Sequence, residues 1–142
     1  MKPVFKILVF IFLIAFNCSC RAQMVQTIAD AKKLEINEKQ FTGKPLKTLL
    51  QEIKPEIKRV AVSPGGKEFS SFFVFYFQTK QDFIKSRDEG KQPTSIRVYV
   101  KDSIDYKDFD KSYNKDWWKW DANDVKKYGN FTVRAILVSG KD

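Results

Sequence analysis

The sequence predicts an α+β domain in which an antiparallel sheet of about four strands packs against one main amphipathic helix. Three observations carry that prediction. Leu46, Leu49, Leu50 and Ile53 recur at i, i+3, i+4 and i+7, which is one face of a helix. SIRVYVKD alternates, with Ile96, Val98 and Val100 facing one way and Arg97, Tyr99 and Lys101 the other, as in a half-buried strand. FSSFFVFYFQT and FTVRAILV are long runs of β-branched and aromatic residues bounded by turn chemistry.

Taken in chain order, residues 23–40 are polar with isolated apolar positions, and read as a loosely attached lead-in containing a short strand. The domain itself is expected over residues 41–142. Pro45 suits the first turn of the Leu46 helix and Pro55 marks its end. IKRVAVS reads as a strand, and Pro64-Gly65-Gly66 as the turn that follows it. Phe72 to Phe77 is unbroken apolar sequence, so its strand is expected to be central and covered on both faces. TKQDFIKSRDEGKQP is polar and holds one helical turn or two. Asp121 is placed to cap a short helix running through Lys127, with Gly129 ending it. Strand order does not follow from these patterns.

The first residues bear on location. Lys2 and Lys6 precede ten unbroken apolar residues, Ile7 to Phe16, the layout of a signal peptide over residues 1–22. A spanning helix needs about 20 apolar residues, so a permanent transmembrane anchor is not expected. Two endings are open. Cleavage after Ala22 would release a soluble protein beginning at Gln23, whereas acylation of Cys18 or Cys20 would make a lipoprotein. The chain is thus expected in the periplasm or secreted, or else held to the envelope through its N-terminal lipid alone. Cys18 and Cys20 are the only cysteines, so the domain is expected to fold without disulfides. The remaining 120 residues suffice, since a chain of that size buries roughly two-thirds of its unfolded surface.

Composition excludes several chemistries. There is no histidine, which removes Ser-His-Asp triads, Cys-His pairs and histidine-ligated zinc. Without cysteine in the domain, thiol catalysis and thiolate metal sites go too. No cofactor or metal is expected. The 26 basic residues less Lys2, Lys6 and Arg21 leave 23, which against 17 acidic residues is a net +6. The charges are interspersed (KKLEINEK, KSRDEGK, KDSIDYKDFDK), which suits a solvated surface and not a nucleic-acid footprint. Asp102, Asp105, Asp108 and Asp110 lack the spacing and glycine of a calcium loop and read as a solvated loop. Ser63-Pro64-Gly65-Gly66-Lys67 lacks the spacing of a phosphate cradle and reads as a hairpin turn.

NKDWWKWDAND brings all three tryptophans within four positions. Neither a helix nor a strand aligns all three on one side. Each aromatic residue buries on the order of 150–250 Å², so the first expectation is that they anchor a long connection onto the core. The other is a ligand surface formed by Tyr113, Lys115, Trp117, Trp118, Lys119 and Trp120, facing a protein or glycan of the cell envelope. The function expected is accordingly a non-catalytic binding or structural module. The alternatives are an enzyme acting on envelope glycans through a carboxylate pair, or a small inhibitor of an exported enzyme. With its leader ending in AQ, its FTGKPLKTLLQEIK helix and its IRVYVKD and YGNFTVRAILV strands, the chain resembles small exported proteins of Bacteroidota. That resemblance covers residues 41–142 and implies one compact α+β domain in the envelope, with no catalytic residue.

Overall fold

β1 (Arg59–Ser63), β2 (Ser71–Tyr76), β3 (Gln92–Val100) and β4 (Val133–Lys141) pair in chain order in one antiparallel sheet. The computed structural model describes residues 22–66, 70–114 and 119–141. The α+β class and the four-stranded antiparallel sheet are those expected from the sequence. Gly65 lies in the β1–β2 turn at φ 73°, a left-handed conformation that glycine adopts without a steric penalty. The register places Val62, Phe73, Val98 and Ile136 side by side, and beside them Val60, Phe75, Ile96 and Val138. All eight are buried, and these two rows form the sheet's half of the core.

The other half is assembled from short pieces. A 3-10 turn (Ile28–Ala31) leads into α1 (Lys32–Ile36), and α2 is Leu46–Leu50. Pro45 sits just outside α2 as its N-cap, and the helix is only five residues long. Leu46 and Leu49 are fully buried and Leu50 packs against the core. Ile53 has left the helix and pairs instead with Val25 in an isolated parallel bridge. The predicted apolar stripe is therefore buried as expected, but Leu46, Leu49 and Leu50 are placed by the helix and Ile53 by extended chain. A helix of five residues cannot by itself cover the sheet, and several short elements among the described residues share that task.

Residues 23–40 supply much of the missing cover, contrary to the loose lead-in expected. Val25, Ala31 and Leu34 have no exposed surface at all. With the partly buried Ile28 they recur every three residues, a spacing that runs through the 3-10 turn into α1. The sequence pattern conceals this because the intervening residues are all polar or small.

α3 (Lys80–Asp88) follows β2 and is capped by Thr79, whose hydroxyl accepts from the Asp82 amide at 3.2 Å. α4 (Tyr106–Asn114) occupies the acidic stretch expected to be a solvated loop, and packs beside β1. The aspartates there have separate structural duties. Asp102 accepts from the Thr132 amide at 2.5 Å, Asp105 from the Lys107 amide at 2.9 Å, and buried Asp108 from the Lys127 ammonium at 2.9 Å through both oxygens. Lys127 lies on α5 (Ala122–Tyr128), so that last pair ties the two helices together. Asp121 caps α5 in a reciprocal box with Asp124, as the sequence indicates.

The open edge of β4 is closed by the N-terminal segment. Glu35 accepts from the Val138 amide at 2.7 Å and Glu38 from the Ile136 amide at 2.8 Å. Further along, Gly43 and Lys44 exchange backbone hydrogen bonds of 2.8 and 2.9 Å with Val133. Carboxylates thus take the place of a fifth strand, which protects an edge otherwise able to pair with another chain. The Lys32 ammonium, 2.6 Å away, and then the Val138 amide hold the Glu35 carboxyl below its ordinary value of 4.5. A depressed folded-state pKa means that this stabilisation is present above the ordinary glutamate value and is lost as pH falls below it. Glu35→Ala should therefore cost about 1 kcal/mol at neutral pH and cost less as the pH is lowered through the acidic range. Urea unfolding of both proteins at several pH values measures this; an equal difference at every pH would contradict it.

Candidate functional site

Strand alternation gives the sheet a second face, turned away from the core. Its positions form three rows: Ser63, Phe72, Tyr99 and Ala135 at one end; Ala61, Val74, Arg97 and Leu137 in the middle; Arg59, Tyr76, Ser95 and Ser139 at the other end. α3 covers the last row in part. Its Phe83 ring meets Tyr76 edge-on at 5.3 Å, and the Arg59 guanidinium lies 4.2 Å from the Tyr76 ring centre and 4.6 Å from that of Phe83. Arg59 is only 3% exposed, and its Nε donates to the Gln78 carbonyl at 3.0 Å. Burial lowers the guanidinium pKa to about 10 and raises that of the Tyr76 phenol, so both keep their ordinary charge at neutral pH.

The rest of the face is less covered, although Val74 in the middle row is only 6% exposed. Arg97 stacks over Phe72 at 4.9 Å, and its Nε is enclosed without a hydrogen-bond partner among the described residues. Phe72 and Tyr99 are neighbours at 5.5 Å, both half-buried. Beside them is a concavity of about 600 Å³ lined by Ser63, Gly65, Gly66, Ser70, Phe72, Tyr99, Arg134 and Ala135. Arg134 is exposed at its rim and donates to the Ser70 hydroxyl. A second concavity of about 260 Å³ lies at the α3 end, where Tyr76, Phe83, Arg87, Lys91, Ser95 and Ser139 are among its walls. The described lining of the two includes three basic residues, Arg134, Arg87 and Lys91, and no carboxylate, and Arg97 lies between them on the middle row. Such a surface can stack a ring or a sugar face and can hold oxyanions in planar forks.

The residues singled out from the sequence are dispersed. Cys18, Cys20, Lys115, Trp117 and Trp118 lie outside the described residues. Tyr113 falls in the last turn of α4, and Lys119 is exposed. Trp120 points into the core: it meets Phe75 edge-on at 5.2 Å and Phe73 at 5.9 Å, and stacks on Tyr128 at 6.1 Å. It is therefore a wedge and not part of an open surface. Tyr128 is buried with it, and burial pushes its phenol up to about 12. Among the described residues there is no cluster of metal-ligating side chains, and no helix long and apolar enough to cross a membrane.

Phe72, Tyr99, Arg97 and Arg134 were not singled out from the sequence. Arg97 and Tyr99 read simply as the solvent side of a strand, and the two phenylalanines at 72 and 73 look alike in sequence although they face opposite ways. One signal was available. The chain uses lysine 21 times and arginine five times, and the four arginines after Arg21 all lie at this one face.

No protein-family model, curated protein or solved structure matches this chain.

Trp120→Ala should destabilise the fold by about 3–5 kcal/mol, the usual loss for a large aromatic removed from a core. Trp120→Phe should recover part of that loss. Denaturant midpoints read both; a near-neutral alanine variant would show that Trp120 does not carry the packing described.

Proposed function

We propose that this protein is an exported, non-catalytic binding module of the cell envelope or the secreted fraction, and that its ligand seats on the outer face of the sheet. The observation that carries the reading is the juxtaposition of two half-buried rings, Phe72 and Tyr99, with the guanidinium groups of Arg97 and Arg134 around an open concavity of about 600 Å³. That volume lies in the range of small-molecule and ligand-fragment sites, which combine apolar walls with a few convergent polar groups. Export is supported by the Lys2–Lys6 n-region and the apolar run Ile7 to Phe16. The proposed partner is a component of the envelope, in keeping with the resemblance to small exported proteins.

An enzyme acting through two carboxylates would need acids facing each other across a cleft. The described residues lining the two concavities include no aspartate or glutamate, so nothing at this face favours that reading.

The test is cosedimentation of the purified protein with cell-envelope material from an exporting bacterium. The wild-type protein should pellet with it. Tyr99→Ala should weaken that association by roughly tenfold, the scale of losing one aromatic anchor, while leaving far-UV circular dichroism unchanged. Pelleting of the variant as strongly as the wild type would move the seat elsewhere on the molecule, and absence of wild-type pelleting would remove the envelope partner.

A further inference from the structure

Resting on the outer-face reading, the chemistry of that face narrows what it would hold. We infer that the ligand is an acidic glycan, a polysaccharide segment bearing sugar carboxylates, laid across the outer face from the Arg134 concavity to the Arg87 concavity.

The choice of cation is the first argument. A lysine would serve solubility anywhere, and this chain uses lysine almost everywhere. Arginine differs in being planar, able to stack on a ring and to grip a carboxylate with two parallel N–H groups. Four of its five copies lie at this one face. Arg59 is consumed internally between Tyr76 and Phe83, and Arg97 stacks on Phe72 in the middle row. Arg134 and Arg87 are exposed, one at each concavity.

Charge balance points the same way. The chain contains 17 acidic residues, yet none appears in the described lining of either concavity. Lys91 is already paired with Glu89 at 2.6 Å, so the cations offered to a partner are the arginines, Arg134 at one concavity and Arg87 at the other. A free inorganic anion would not use the rings. Phe72 and Tyr99 present part of their faces beside the guanidinium groups, where the C–H face of a sugar ring can stack, and Ser63, Ser70, Ser95 and Ser139 offer hydroxyls to its polar rim.

Length favours a polymer. The two concavities flank rows four residues apart along the strands, about 13 Å at the usual strand rise, with Arg97 and exposed Leu137 between them. A peptide is the weaker fit. Peptides commonly join a sheet at an open edge through main-chain hydrogen bonds, whereas the two concavities lie on its face and are lined largely by side chains.

The probes are short oligomers of galacturonate and of alginate, the neutral galactose oligomer of equal length, the methyl-esterified galacturonate, and a single-stranded oligonucleotide of matched charge. Binding is read by calorimetry and by amide shifts in nuclear magnetic resonance spectra. At least one acidic oligomer should bind and move the amides of Phe72, Arg97, Tyr99 and Arg134. Its affinity should drop about tenfold in Arg134→Lys, which keeps the charge and loses the fork, and should fall with added salt. Equal binding of the neutral or esterified oligomer at the same amides would overturn the acidic assignment and leave the binding face standing. Silence of both acidic oligomers, or shifts confined to other parts of the molecule, would overturn the glycan. If envelope pelleting still depended on Tyr99, the face would survive that result; if it did not, both readings would fall. Tighter binding of the oligonucleotide would replace the glycan with nucleic acid.

Discussion

The packing of Phe73 and Phe75 against Trp120 and Tyr128 is the contact on which the rest of the structure depends. The two phenylalanines project from the same side of β2, an inner strand, and their rings lie 6.0 Å apart. Trp120 and Tyr128 come from the far end of the β3–β4 connection and close over them at 5.2–5.9 Å, with Phe131 beyond. The only cysteines of the chain lie at positions 18 and 20, so the described residues contain no covalent bridge. The long connection between β3 and β4 is held to the sheet by these rings, and α5 is positioned by the same contact. Once α5 is placed, Lys127 can reach Asp108 and fix α4 beside β1.

That arrangement leaves the opposite side of the same strand to do something else. With a period of two, burying Phe73 and Phe75 necessarily turns Phe72, Val74 and Tyr76 outward. Those outward residues do not face plain solvent. Arg59 and Phe83 enclose Tyr76, while Arg97 covers part of Phe72, so aromatic surface that would otherwise invite aggregation is sheathed by cations. The sheathing is uneven. It is greater at the α3 end, where Arg59 is buried, than at the Phe72–Tyr99 end, and the uneven cover is what leaves a concave, basic, aromatic surface there.

Carboxylates run through the fold as backbone acceptors. Glu35 and Glu38 quiet the β4 edge, Asp102 holds the start of β4, and Asp121 with Asp124 starts α5. An acid-rich stretch can suggest metal binding or catalysis, yet each of these oxygens answers a main-chain N–H that would otherwise lack a partner. With these acids engaged elsewhere, the described lining of the two concavities carries arginines and no carboxylate, and only Lys91 there is paired, with Glu89.

Local patterns sufficed for the fold class, the four strands, the inward set Ile96, Val98 and Val100, and the Asp121 cap, because alternation, helical spacing and capping are properties of adjacent residues. Three features depended on contacts between distant residues. Leu46 and Ile53 satisfy one helical stripe, but Ile53 finds Val25, twenty-eight residues earlier, and leaves the helix. Nothing in the sequence around Trp120 tells a core wedge from a surface ring, and only closure onto Phe73 and Phe75 turns it inward. The candidate site is the extreme case. Arg59, Arg87, Arg97 and Arg134 lie on three strands and a helix, so nothing in their spacing joins them. The sequence by itself determined which residues alternate and which must be buried; the tertiary structure decided which face was left open and which cations met there, because register and strand order come from long-range pairing that no local window contains.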